Sequence, residues 1–128
     1  MGVKLIKISV VYFSVGVLLG LYMSMASNYI YKGVHVHINL LGWTSLTLAG
    51  IIYLIFPKAA ATTLAKVHFW MHNIALPIMM IGLFLVLTGY EAFLIMIPIG
   101  GTAVVIAVII FAINILKNVK ANESVLSK

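Results

Sequence analysis

Imidazole carries the chemistry available to this chain. Four histidines stand in two pairs, His35/His37 and His68/His72, and the sequence holds no cysteine, no arginine and only two acids, Glu91 and Glu123. The absence of thiols removes disulfides, iron–sulfur clusters and thiol catalysis. Two acids set far apart argue against a carboxylate-pair hydrolase and against an oxygen cage for magnesium or calcium. Neutral imidazole, a good ligand for iron, copper or zinc, is what remains.

Spacing separates the two pairs. Residues two apart on a helix point about 200° apart at 3.6 residues per turn, so His35 and His37 face different sides and cannot chelate one ion from a regular helix. His35 shares its side with Asn39, Gly42 and Gly50, a strip of small residues against which a flat ligand could lie. His37 shares its side with Leu41, Thr44 and Leu48. His68 and His72, four apart, share one face, which is either a two-histidine metal clamp or ordinary geometry for two polar groups around a buried water. Met23 and Met25 together with His35 and His37 would make a copper or zinc site, the thioethers favouring Cu(I). The bland reading of either outer histidine is that it snorkels or bonds a carbonyl.

The elements that must position these groups are membrane helices. Of 128 residues, 64% are hydrophobic and 8% charged, far below the roughly 25% charge of soluble domains. The net charge of +6 comes from eight lysines that flank apolar runs instead of forming a patch with aromatics, so the basic balance reads as membrane topology and not as nucleic-acid binding. Apolar runs predict an all-α integral membrane protein of one domain, residues 1–128, with four spans at about 3–26, 34–56, 63–88 and 92–116 and a frayed polar tail at 117–128. The first run is read as a retained helix, since it exceeds a leader's apolar region and carries the Gly16/Gly20 small-residue step. Pro57 stops the second helix, Thr62 or Thr63 caps the third, Pro77 kinks it, and Gly89-Tyr90-Glu91 turns into the fourth. Straight helices place His37 and His72 roughly 15 Å apart in depth.

Alternation puts the N-terminus, the 57–62 connection and the tail on one side. Seven lysines (Lys4, Lys7, Lys58, Lys66, Lys117, Lys120 and Lys128) fall there, against Lys32 alone on the other. The positive-inside rule then predicts both termini in the cytoplasm and His35/His37 near the outer interface. The Gly16/Gly20 and Ala103/Ala107 faces predict a homo-oligomer, since they offer more packing surface than one bundle needs.

The string His35-Val36-His37, Leu41-Gly42-Trp43, Gly50, Tyr53, Pro57, followed by His68-Phe69-Trp70, resembles the tenth and eleventh membrane helices of the catalytic subunit of cbb-type heme-copper oxidases and, more distantly, of nitric oxide reductases. It also resembles small bacterial proteins described as oxidase subunit I-like. The resemblance implies a bacterial inner-membrane protein that binds heme b and serves electron transfer or binding of a diatomic gas, with a possible respiratory-chain partner. It transfers heme-ligand roles to His35 and His37. No counterpart of the copper-ligating histidines is present, so a complete oxygen-reducing proton pump is not implied. An accessory or assembly subunit of an oxidase is the non-binding alternative. Around the outer pair, Asn39, Tyr29 and Tyr31 are candidate partners for the second ring nitrogens, Lys32 for a heme propionate and Met23 for a sixth ligand, with Trp43 adjoining the site. His68 and His72 are the secondary candidates.

The lysine asymmetry is testable directly. A cysteine introduced by Lys32→Cys should react with an impermeant thiol reagent from the outside only, and one introduced by Lys120→Cys from the inside only. The opposite labelling pattern inverts the topology.

Overall fold

In hydrocarbon every backbone N–H and C=O must be satisfied within the chain, and for a single polypeptide of short apolar runs the helix is the solution. The computed structural model describes residues 1–120 and Val125, and among these it contains helices and no strand. Four helices are long and apolar enough to cross a membrane: α1 (Gly2–Ala26), α2 (Lys32–Ile55), α3 (Thr63–Leu87) and α4 (Met96–Asn118), the last preceded by a 3₁₀ turn over Glu91–Phe93. Large apolar side chains such as Leu18 and Leu116 point outward, an arrangement suited to lipid and not to water.

The ends follow local chemistry. Ser27 closes α1 in the left-handed region at φ 48°, with Asn28 N–H returning to the Met23 carbonyl at 3.1 Å. α2 stops at Ile55 before Pro57, which begins a single turn, Pro57–Ala60, because the residue before a proline is pushed out of the helical region. Thr62 caps α3 by accepting the Ala65 N–H at 3.1 Å. α3 runs unbroken through Pro77. It ends at Gly89, whose φ of 99° lets Tyr90 N–H bond Leu85 at 2.9 Å and Gly89 N–H bond Val86 at 3.0 Å, a Schellman closure. α4 continues to Asn118, past the anticipated end, and of the tail read as frayed, residues 121–124 and 126–128 lie outside the described residues.

One feature departs from the regular second helix anticipated: Ile38–Thr44 is π-helical. Ser45 N–H bonds back to the Leu40 carbonyl, five residues earlier. Hydroxyls reinforce the wide turn, Thr44 Oγ1 on Asn39 O at 3.1 Å and Ser45 Oγ on Leu40 O at 2.8 Å. Leu41 O thereby loses its ordinary i+4 donor, Ser45 N–H, which has consequences for the site.

Small residues set the packing. On α1 and α2, a Cβ placed on Gly16 would lie 2.5 Å from Asn39 Nδ2, and one on Gly42 2.5 Å from the Tyr12 ring. On α3 and α4, a Cβ on Gly100 would lie 2.6 Å from the Met79 backbone nitrogen. One apolar cluster joins Val34, Ile38, Ala75, Leu76, Met79, Met80 and Val104, and a second joins Leu5, Leu46, Ala49, Tyr53 and Ala65 nearer the opposite end. The small-residue faces anticipated for a second copy are used inside the chain: Gly16 and Gly20 receive Asn39 and His35, and Ala107 is fully buried.

Because the obstacle at Gly100 is backbone, it cannot rotate away. Gly100→Ala should destabilise the bundle by about 1–3 kcal/mol through overpacking, whereas Gly33→Ala, whose Cβ would meet only Leu83 Cδ2 at 3.5 Å, should be near neutral. Thermal unfolding of the two variants in one detergent compares them.

Candidate functional site: three histidine environments

His35 points into α1. Its Nδ1 lies 2.8 Å from the Gly16 carbonyl; a carbonyl only accepts, so Nδ1 carries the proton and the neutral ring keeps its lone pair on Nε2. The ring packs so closely on α1 that a Cβ on Gly20 would lie 2.8 Å from His35 Cε1. Asn39 Nδ2 donates to the His35 carbonyl at 2.8 Å and fills the space above Gly16. The strip of His35, Asn39, Gly42 and Gly50 is therefore covered by α1, which leaves no room along it for a flat ligand.

His37 points the other way, as the 200° offset requires. Its Nδ1–H donates to the Gly33 carbonyl one turn back, at 2.7 Å. Nε2 is left with its lone pair on an exposed ring, at a groove of about 440 Å³. The groove is lined from α2 by His37 and Leu41, from α3 by Met79, and from α4 by Gly101 and an aliphatic wall of Val104, Val105, Val108 and Ile109. That volume falls in the roughly 300–1,000 Å³ range of small-molecule and cofactor sites, which are mostly apolar with a few placed polar groups.

His68 and His72 are both almost fully buried. His72 Nε2–H donates to the released Leu41 carbonyl at 3.1 Å. His72 therefore bonds α2 at a residue only four past His37, about 6 Å of rise, because carbonyls of α2 point toward its C-terminus and the imidazole reaches to meet one. His72 Nδ1 has no hydrogen-bond partner among the described residues. The His68 ring stands edge-on to it, centroids 5.5 Å apart. Asn114, also fully buried, orients what surrounds His68. Its Nδ2 donates to Ala59 O at 3.1 Å and to Tyr53 Oη at 3.4 Å, so the Tyr53 hydroxyl directs its own proton to His68 Nδ1 at 3.2 Å. Asn114 Oδ1 in turn accepts from Thr62 Oγ1 at 2.8 Å and Asn118 Nδ2 at 2.9 Å.

The remaining candidates are dispersed. Trp43 packs on Phe13 of α1, centroids 4.7 Å apart, and Tyr31 stacks on Phe84 of α3 at 4.9 Å. Lys32 is exposed at the start of α2, and Met23 is buried near the end of α1, outside the lining of the His37 groove. Met25 is exposed. No group of three or more metal-binding histidine or acidic side chains forms among the described residues. Sequence reasoning passed over Met79, which joins His37 in the groove, and the Tyr53–Asn114–Thr62 network; an asparagine within the last turns of an apolar run was the available signal for the latter. Compared with known proteins, the chain matches no family model, no curated protein and no solved structure.

Removing the hub of the buried network strands several partners at once. Asn114→Ala should cost about 2–4 kcal/mol, since buried polar groups left without partners carry their full desolvation penalty, and Asn118→Ala, at the half-buried periphery, should cost less than half as much. Unfolding in detergent measures both.

Proposed function

We propose that this protein binds b-type heme in the groove between α2 and α4, with His37 as an iron ligand. The observation that carries the reading is the His37 tautomer. Nδ1–H is committed to the Gly33 carbonyl, which is how metal-ligating histidines hold the ring and present the other nitrogen, and the ring, its Nε2 unprotonated, lines a groove otherwise walled by aliphatic residues and Met79. These residues fit an apolar, flat cofactor that needs one axial nitrogen. Lys32, five residues before His37, is the candidate partner for a propionate. Heme bound there supplies a one-electron couple; the chain supplies the ligand, the apolar walls and exclusion of water.

In this reading His35, on the opposite side of the helix and covered by α1, positions α1 against α2 and is no longer a heme ligand. Lysine placement supports cytoplasmic termini and puts the groove toward the outer half of a bacterial inner membrane. The resemblance to oxidase subunit I supports membership of a respiratory chain. A homo-oligomer would meet through lipid-facing surfaces, since Gly16, Gly20 and Ala107 are used inside the chain. Copper is the competing cofactor, because His37 and the Met79 thioether suit Cu(I); zinc would need further ligands.

The purified protein, supplied with hemin, should show a Soret band that His37→Ala reduces at least tenfold while the protein elutes as a folded species. The His68→Ala/His72→Ala pair should lower stability and keep the band. Loss of the band in the latter pair with retention in His37→Ala would move the cofactor to the buried histidines and end the proposal.

A further inference from the structure

We infer that Met79 supplies the second axial ligand in the His37 groove, which makes this an electron-transfer site and not a gas-binding one. This inference rests on the heme reading. Among the residues lining the groove, His37 and Met79 alone carry a side-chain Lewis base; the rest are aliphatic or glycine. Met79 belongs to the same buried cluster as Val34 and Ile38, which lie on either side of His37 in sequence, so thioether and imidazole stand at one level of the bundle.

Two glycines of α4 determine how Met79 is presented. The Met79 main chain is held by Gly100, where a Cβ would come within 2.6 Å of its nitrogen. At the next residue, a Cβ on Gly101 would lie 3.3 Å from Met79 Sδ. Because Gly101 has no side chain, the sulfur fits against the α4 backbone, and both residues line the groove. A buried methionine is ordinarily a flexible core filler. Here its polarizable sulfur shares an apolar cleft with one oriented imidazole, and soft thioether is the ligand type that pairs with histidine on iron and raises its reduction potential. Met23, buried near the end of α1, does not line this groove.

Two ligands from one chain leave iron no open position, so exogenous carbon monoxide must displace Met79. Dithionite-reduced, heme-loaded protein should bind carbon monoxide at least tenfold more weakly than Met79→Leu, a variant of similar volume that removes only the sulfur. Met79→Leu should also lower the midpoint potential and shift the reduced visible bands. Equal carbon monoxide affinity in the two proteins, or an unchanged potential and spectrum in Met79→Leu, overturns the assignment of Met79. If those nulls accompany heme loss in His37→Ala, the heme reading stands and only this inference falls. A chain that takes up no heme at all overturns both.

Discussion

The bond from His72 Nε2–H to the Leu41 carbonyl joins the two halves of the bundle where an unpaired group would cost most. In the π turn of α2, Ser45 N–H returns to Leu40, so Leu41 O is released. Water cannot reach a carbonyl at that depth, and leaving it unbonded would cost several kcal/mol in hydrocarbon. His72 of α3 meets it at 3.1 Å. The contact sets the register of α3 against α2 and fixes the His72 tautomer. It also braces the backbone of Leu41, whose side chain lines the groove beside His37.

The four imidazoles illustrate how one side chain is put to different uses by its surroundings. His35 and His37 each direct Nδ1–H at a carbonyl one helical turn or one helix away. For His35 the carbonyl belongs to α1 and the ring lies against Gly20, so the bond is an interhelical tie. For His37 the carbonyl is in its own helix, and the exposed ring lines an open groove. His68 and His72 are enclosed by Tyr53, Phe111, Asn114 and the Leu41 carbonyl, where hydrogen bonds and ring contacts take up most of their capacity.

Between helices in lipid, close approach of backbones replaces the hydrophobic drive that water would supply. Gly16, Gly20 and Gly42 admit Asn39, His35 and Tyr12 between α1 and α2, and Gly100 brings the α4 backbone against Met79. An interhelical hydroxyl pair, Ser9 and Thr47 at 2.8 Å, adds a polar tie on a fully buried serine. The same close approach of α3 and α4 at Gly100 leaves the sulfur of Met79 beside Gly101, so packing and the shape of the groove have one origin.

By itself the sequence determined the four helices, the breaks at Pro57, Thr62 and Gly89, and the opposite facing of His35 and His37. Run length, Pro57, the Thr62 cap and Gly89 act within a few residues, and the 200° offset follows from helix geometry alone. The buried standing of His68 and His72 was legible only as one of two readings of an i, i+4 pair. Tertiary structure decided the rest. Covering of the His35 strip depends on where α1 docks, and the groove at His37 on how far α4 stands from α2. The partnership of Met79 with His37 joins residues 42 positions apart, a separation that carries no periodic signal. The π turn belongs with these. Asn39, Gly42, Thr44 and Ser45 permit it, but an α-helix would satisfy the same backbone, and the wider turn is favoured once His72 from another helix is in place to donate its Nε2–H to the carbonyl released.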